Sequence, residues 1–423
     1  VSGKIHIGDF YFMRDSMAIL QSVNLNEARV TPSTYVECDS DRGRVPLIFN
    51  KVIRGEELIA EILLKYPGCN SWSWETICNA DEIPANAFNS KETLVNFVFP
   101  ETLVSIGEKA FCDCSLLSGA LIIPEGVTEI HQEAFGSCGN VSSLSLPMGL
   151  IKIGSGAFNN CNSLSSLLLP FSLRYIGACA FNNCKGLTCN LILPENLEYL
   201  GNSAFGECYG LTGDLKIPES LRTIYSNTFG NCGFNGRLLL HDNLTITSDF
   251  APDNTFGVYG GPFYGCQFQG ELVLPSNITK VPKGCFAYNA FSSIANLPEG
   301  LLQIEDDAFM SCSRLSGLID LPESLISLGS NAFAHCRALQ GVILPSNLAV
   351  IRNGAFENCH NIAKLVSKAS LPPTIQANAF NGVPKDNFTV EVPASAVKKY
   401  QADSQWREFQ RIAAHYDFSI SRD

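Results

Sequence analysis

The chain has 423 residues, 46% of them hydrophobic and only 17% charged, with a net charge of −12. So apolar and sparsely charged a chain is not disordered, and a pI near 5.0 excludes the clustered basic surface that nucleic-acid binding needs. No run of about 18 apolar residues is present to cross a membrane as a helix, whereas two counts stand out: 17 Cys, and 27 Phe against 12 Tyr and 3 Trp.

In chain order, residues 1–82 carry no repeat. Lys4–Phe12 reads as a strand with a turn, and Gly55–Tyr66 as a short amphipathic helix. This segment is expected to cap the first coil of a repeat array, because the end of such an array exposes an apolar face unless something covers it. With His6 as its only histidine it offers little catalytic material.

From residue 83 to 393 one phenylalanine recurs: Phe88, Phe111, Phe135, Phe158, Phe181, Phe205, Phe229, Phe263, Phe286, Phe309, Phe333, Phe356 and Phe380. All steps are 23 or 24 residues except the 34 from Phe229 to Phe263. A fixed period of this length marks a repeat array, so the region is read as one solenoid of about 13 coils rather than as separate globules. Each coil has a common grammar. An apolar alternation ends at proline, as in Leu121-Ile122-Ile123-Pro124 and Leu191-Ile192-Leu193-Pro194. That is a short strand stopped by a residue with no N–H to give. A turn and a second short apolar stretch come next, often ending Ile-Gly, as at Ile153-Gly154 and Ile176-Gly177, where glycine is expected to permit a tight turn. Then comes Ala-Phe-x-x-Cys, read as a single helical or 3₁₀ turn with Phe and Cys on one side. No coil can bury its Phe alone; stacked coils with parallel strands can.

The long step holds an insertion within residues 246–261 (ITSDFAPDNTFGVYGG). Six aromatics fall between Phe250 and Phe268, and Asp249, Asp253 and Asn254 lie near or among them. Insertions in repeat proteins map to loops on one face, often the binding face, and the candidate recognition residues are Phe250, Asp253, Asn254, Phe256, Tyr259 and Tyr264. The other reading, slightly preferred, is a loop that folds back and buries its own rings. Near the end of the array, Val390–Pro393 reads as a last strand, and residues 394–423 as a C-terminal cap, helical to His415 with Trp406, Phe409 and Ile412 on one face.

The middle residue of each proline-ended strand points away from its neighbours: Val98, Ile122, Ser145, Leu168, Ile192, Lys216, Leu239, Val273, Asn296, Asp320 and Ile343. Either this is an open apolar stripe or the coil wraps around it as a second core. The second is preferred, because β-branched residues also simply suit strands.

The stretch 121–184, with Ile122-Ile123-Pro124, Ala134-Phe135, Cys138, Ile153-Gly154, Ala157-Phe158, Cys161, Ile176-Gly177, Ala180-Phe181 and Cys184, resembles the BspA-type leucine-rich repeat of bacterial surface proteins. The Val-Pro-Ala…Tyr…Trp-x-x-Phe tail resembles that family's closing segment. The resemblance implies a β-rich, right-handed leucine-rich repeat solenoid of short parallel strands and short helical or 3₁₀ turns, capped at both ends. It also implies an exported protein of Bacteroidetes or related bacteria, outward-facing on the outer membrane or periplasmic. The implied role is adhesion, with a host or extracellular-matrix protein or a glycan as partner. The alternatives are an architectural display module of an envelope complex and, less favoured, a hydrolase. The chain begins at Val1, which fits removal of an export signal, and a lipid anchor beyond the sequence is compatible with the family.

The structural ladder is expected to comprise Phe111, Phe135, Phe158, Phe181, Phe205, Phe309, Phe333 and Phe356, with Cys138, Cys161, Cys184 and Cys208 among ten cysteines that come three residues after a repeat Phe. Equivalent positions in stacked coils hold parallel Cβ vectors about 4.8 Å apart, which does not suit a disulfide. These cysteines are therefore read as small buried hydrophobes. A Cys69–Cys78 bridge is compatible with spacing alone. Cys112/Cys114 and the His335-Cys336 and Cys359-His360 pairs are the only metal candidates and lack zinc-ligand spacing. No HExxH, GxSxG, GxGxxG or Walker-type pattern is present. No catalytic residue, metal or cofactor is assigned.

Overall fold

The computed structural model describes residues 3–15, 17, 19–40, 43–49, 51, 69–253, 260–295 and 297–415. It divides into two compact units, Val1–Cys189 with Pro194–Cys208, and Asn190–Leu193 with Tyr209–Asp423. The segment 55–66 read as a helix lies outside the described residues.

The first unit opens differently from the sequence expectation. Gly3–Ile5 is a strand, but Ile7–Asp15 is an α-helix. Its start is chemically marked: the Asp9 carboxylate accepts from the His6 N–H at 2.7 Å and the Ser33 hydroxyl accepts from the Ile7 N–H at 3.1 Å. Those bonds satisfy donors that a helix start leaves open. At the other end the Lys91 ammonium donates to the carbonyls of Arg14 (2.9 Å) and Met17 (2.5 Å). The helix buries Ile7, Phe10, Tyr11 and Met13, and Phe10 meets the first repeat phenylalanine, Phe88, edge-on at 6.1 Å. Ser22–Asn24 pairs in parallel with Asn96–Val98, so unrepeated chain supplies a rung that repeats supply elsewhere. An antiparallel three-stranded sheet completes the segment, with Ser33–Ser40 between Gly43–Phe49 and Cys69–Cys78. Cys69 and Cys78 are the two ends of one ten-residue strand, about 30 Å apart at about 3.3 Å per residue, so they cannot be bridged.

The coils of the first unit carry a six-stranded parallel sheet of two-residue strands, in the order Tyr199–Leu200, Tyr175–Ile176, Lys152–Ile153, Glu129–Ile130, Ser105–Ile106, Glu82–Ile83. The inward residue of each, from Ile83 to Leu200, is at most 1% exposed. The proline-ended segments form a second row, in which Ser118–Ile122 pairs in parallel with Asn140–Ser145. The second unit repeats the plan. One five-stranded parallel sheet runs through Lys280–Val281, Gln303–Ile304, Ser327–Leu328, Val350–Ile351 and Thr374–Ile375. The other runs through Gly317–Asp320, Leu339–Leu344, Lys364–Ser367, Val390–Pro393 and Ile412–His415.

Glycine after isoleucine serves coil approach. A Cβ on Gly177 would lie 2.4 Å from the Ser155 nitrogen in the preceding coil, and one on Gly329 2.4 Å from the Glu305 carbonyl carbon. The φ angle there is ordinary; the missing side chain is what lets the backbones close.

Ala-Phe lies in a turn whose backbone is bonded both along and between coils. Phe111, Phe135, Phe158 and Phe181 each donate N–H to the alanine before the next repeat Phe, at 2.7–2.8 Å. Left-handed residues flank the ring two positions on either side, for example Lys109 and Asp113, Asn227 and Asn231, Asn331 and His335. The buried rings stack nearly parallel, with centroids 5.1–5.4 Å apart from Phe88 to Phe205 and 5.1–5.9 Å apart from Phe229 to Phe380. Phe268, one of the six aromatics around the insertion, belongs to the core: it is 0% exposed and sits in a second stack with Phe234 (5.1 Å) and Phe291 (6.3 Å).

The ladder cysteines do more than fill space. The thiol of Cys138 donates to the Phe111 carbonyl at 3.1 Å, Cys184 to Phe158 at 3.2 Å, Cys208 to Phe181 at 3.1 Å, Cys312 to Phe286 at 3.2 Å and Cys359 to Phe333 at 3.1 Å. Each thus serves the carbonyl of the Phe one coil back, a buried acceptor in a turn that no strand ladder serves. One coil makes the role plain. Asn289 stands three residues after Phe286, where others have Cys, and its amide donates to the Phe263 carbonyl at 2.8 Å. All described ladder cysteines are free thiols.

The C-terminal segment departs from the helical reading. The helix spans only Val397–Ala402. Asp403 turns extended, and its carboxylate accepts from the N–H groups of Gln405 (2.9 Å) and Trp406 (3.1 Å), opening a separate 3₁₀ turn, Trp406–Glu408. Ile412–His415 is a strand paired in parallel with Val390–Pro393. Trp406 and Phe409 are buried as the apolar spacing implied, and Phe409 closes the ring stack edge-on against Phe380 at 5.4 Å. The preference for a second core beneath the proline-ended strands is overturned: Ile122 is 66% exposed, Leu168 79%, Ile192 70% and Val273 55%. Leu121, Ile123, Leu167 and Leu169 face the one core and the middle residues face out.

Phe158→Ala removes a ring held between Phe135 and Phe181 and is expected to cost about 3–5 kcal/mol in urea unfolding; a loss below about 1 kcal/mol would show that the ring is not core. Cys336→Val keeps volume and apolarity but removes the thiol donated to the Phe309 carbonyl, which keeps the Cys312 N–H, at an expected cost of about 0.5–1.5 kcal/mol; an unchanged midpoint would show that the thiol merely packs. Burial pushes the thiols of Cys114, Cys161, Cys208, Cys312 and Cys359 up to about 12. Unfolded thiols ionise near about pH 8.5, so their contribution is complete below that and is lost as pH rises toward 12, by up to about 1.4 kcal/mol per pH unit per thiol. The urea midpoint should therefore fall between about pH 9 and 11, and less steeply in a Cys138→Ala, Cys161→Ala, Cys184→Ala variant; equal slopes would remove the cysteines from the explanation.

Candidate functional site

The insertion is built onto a regular coil of the second unit. Thr245–Ile246 pairs in parallel with Thr223–Ile224. The Thr247 hydroxyl then accepts from the Asp249 N–H (3.1 Å) and donates to the Asp249 carboxylate (2.7 Å), a local turn of the kind hydroxyl side chains stabilise. The Asp249 carbonyl accepts from the Ser226 N–H at 3.0 Å. At the return, the Gly260 carbonyl accepts from the Ser226 hydroxyl (2.7 Å) and the Asn227 N–H (3.1 Å). Both feet of the insertion are thus fastened to the same short stretch of the previous coil, as in a compact loop whose ends lie close together. A Cβ on Gly261 would fall 2.0 Å from the Gly284 carbonyl oxygen, so re-entry demands glycine.

Of the candidate residues, Phe250 leaves the first foot 36% exposed, Ala251 beside it is buried, and Asp253 is half-buried. Asn254, Phe256 and Tyr259 lie outside the described residues. Tyr264 comes just after the second foot, half-buried, and meets Tyr288 of the next coil edge-on at 5.2 Å. Burial, then Tyr288 and Asp307, hold its phenol above the ordinary tyrosine value. Tyr288, 43% exposed, escaped the sequence reading, although a tyrosine at a left-handed position (φ 59°) stands where most coils place Asn, Ser, Asp or Gly. The insertion's first foot and the Tyr264–Tyr288 pair place aromatic rings at the surface of the unit.

A second feature of the same unit is a shallow cleft of about 180 Å³ lined by Ile294, Leu297, Leu318, Asp320, Glu323 and Lys368. The Lys368 ammonium lies 3.3 Å from Asp320 and 3.1 Å from Glu323, and Ser346 donates to Glu323 through both N–H (3.0 Å) and hydroxyl (2.7 Å). Burial works against the Glu323 charge, but Ser346 and Lys368 outweigh it and hold the carboxyl below its ordinary range. The Lys368 charge is thus paired with both carboxylates.

The metal candidates do not converge. The Cys336 and Cys359 sulfurs point inward to the Phe309 and Phe333 carbonyls, while the His360 imidazole bonds the Gly382 carbonyl at 2.8 Å. Among the described residues no group of three or more His, Cys, Asp or Glu could hold a metal ion, and no helix is long and apolar enough to cross a membrane.

The chain is similar in structure to a leucine-rich repeat protein from Bacteroides ovatus ATCC 8483, at 23% identity and a TM-score of 0.56 over 80% of this chain and 88% of that one. A leucine rich cell surface protein from Faecalibacterium prausnitzii A2-165 matches at 22% identity and a TM-score of 0.40, over 80% of this chain and 78% of that one. The pneumococcal vaccine antigen PcpA matches at 16% and 0.48, over 81% and 86%. The Bacteroides ovatus likeness shows the fold. No curated protein matches the chain significantly. The sequence profile of the BspA type leucine rich repeat region matches residues 81–212, 188–253 and 257–387, in six copies. Those stretches hold the stacked phenylalanines and the thiol donors of the ladder, and the chain belongs to the BspA-type leucine-rich repeat family.

Proposed function

We propose that the protein is a non-enzymatic binding protein of a bacterial cell surface or periplasm, exported, that recognises a host protein or a glycan through the 246–261 insertion. The observation that carries this reading is the double anchorage of the insertion on Ser226 and Asn227. Both ends are held on the coil, while the sequence between them lies outside the repeat's packing grammar. Phe250, Asp253, Asn254, Phe256, Tyr259 and Tyr264 form the recognition set, with Tyr288 added from the next coil. Aromatic rings with a few polar groups are what binding surfaces use to combine contact area with orientation. Membership of a family found on bacterial surfaces supports the location.

The test is binding to arrays of extracellular-matrix proteins and glycans, with affinity then measured on whichever ligand is retained. Phe256→Ser with Tyr259→Ser is expected to weaken binding at least about tenfold, or about 1.4 kcal/mol, with an unchanged melting temperature. Unchanged affinity would sink the insertion as the site; loss of binding accompanied by a lowered melting temperature in the absence of ligand would assign those rings to packing instead.

A further inference from the structure

In the second unit the ladder of short strands is interrupted beside the insertion. Thr245–Ile246 pairs on one side with Thr223–Ile224, and Lys280–Val281 pairs on its far side with Gln303–Ile304. Among the described residues no backbone hydrogen bond joins Thr245–Ile246 to Lys280–Val281. Elsewhere the residue after a short strand donates its N–H to the strand one coil back: Thr247 to the Ile224 carbonyl at 3.0 Å, Glu305 to Val281 at 2.9 Å, Gly329 to Ile304 at 2.7 Å and Gln376 to Ile351 at 2.9 Å. After Lys280–Val281 that residue is Pro282, which has no N–H to give, so the Ile246 carbonyl goes without that donor. Proline stands in the same place at Pro84, after Glu82–Ile83, and that strand is the edge of its sheet. Water follows the break. The core residues Ile246 and Ile278 are 4% and 8% exposed, whereas their equivalents Ile224, Ile304, Leu301 and Leu325 are 0% exposed. A cleft of about 170 Å³, lined among others by Leu244, Ile246, Ile278 and Lys280, lies between the strands.

We propose that this seam is a hinge, in which the short-strand side opens and closes between Ile246 and Lys280 while the phenylalanine turns hold as its spine. The turns are bonded across the same two coils. The Phe229 N–H donates to the Pro262 carbonyl at 3.0 Å, the Asn231 N–H to Tyr264 at 2.6 Å, and the Cys266 thiol to Phe229 at 3.0 Å. The Phe229 and Phe263 rings stay parallel, at 5.9 Å. With one edge tied and the opposite edge untied, rotation about the tied edge is the soft motion. Pro282 keeps the two forms close in free energy. Closing brings the Lys280 N–H to the Leu244 carbonyl, as the Thr245 N–H meets the Arg222 carbonyl at 2.9 Å one coil earlier, and takes Ile246 and Ile278 out of water. It also strips water from the Ile246 carbonyl, which gains no donor in exchange, and that cost offsets the gain. Two packings separated by so little are what a hinge requires. The inference does not depend on the insertion being a binding site.

The test is methyl relaxation dispersion on the full chain labelled at its isoleucine δ1 methyls, which reads motion between microseconds and milliseconds. Exchange is expected at Ile246 and Ile278 and not at Ile224, Ile304 or Ile351. Pro282→Thr returns a donor to the Ile246 carbonyl. It is expected to quench that exchange and to slow hydrogen exchange of the Lys280 amide at least about tenfold, into the range of Gln303. Glu305→Pro takes the donor from the Val281 carbonyl and is expected to open a second seam, with exchange appearing at Ile304. Flat dispersion at Ile246 and Ile278 in the wild-type chain would mean a fixed gap and overturns the hinge. So does a Pro282→Thr chain that keeps its exchange at an unchanged melting temperature. Should Pro282→Thr lower the melting temperature, Glu305→Pro decides: no new exchange at Ile304 overturns the proposal.

Discussion

A coil of 23 or 24 residues is too thin to bury its own phenylalanine, and the rest of the structure answers that constraint. Each ring is covered only when the coils before and after it are in place, so order passes along the chain by contact. Burying the ring also buries the turn that carries it, and with it a carbonyl no strand can serve. The N–H three residues on reaches that carbonyl at 3.2–3.4 Å, and the thiol one coil on adds a second donor. That is why cysteine recurs and why Asn289, a different residue with the same capacity to donate, can stand in its place. Where glycine follows isoleucine or leucine, as at Gly177 and Gly329, a Cβ would run into the backbone of the preceding coil; coils with His131 or Arg352 at that position stack their rings as well.

A stack whose members depend on neighbours needs special ends. At the start, a helix sets Phe10 edge-on against Phe88, and Lys91 ties the helix end down. At the finish, Phe409 lies edge-on to Phe380, while the buried Trp406 donates its indole N–H to the Pro373 carbonyl at 2.8 Å. Both ends exchange face-to-face stacking for an edge contact, which covers the last ring without calling for another coil.

Because the interior is dictated so fully, function is left to positions the ladder does not use. These are the outward strand residues, the turns after proline, and the insertion. The insertion spares the repeat by fastening both feet to Ser226 and Asn227, and the Phe229 and Phe263 rings on either side of it still stack.

The period, the Phe and Cys positions, the proline stops and the place of the insertion were legible in the sequence, because burial of the same side chain in every coil forces the same residue to recur. What recurrence could not convey was why each residue is there. Cysteine as a donor, glycine as an approach and Phe268 as a core ring are properties of contacts between coils, and one coil's sequence does not contain them. The unrepeated ends were least legible. The Ile7–Asp15 helix depends on Ser33 from a distant strand, and the tail breaks into helix, turn and strand because Asp403 bonds forward and Val390–Pro393 offers an edge. Whether Ile122 and Leu168 lay inside or out was also undecided by alternation, which separates two faces of a strand but cannot say which is covered. Tertiary structure decided it, since a single core beneath Leu121, Ile123, Leu167 and Leu169 leaves the opposite face to solvent.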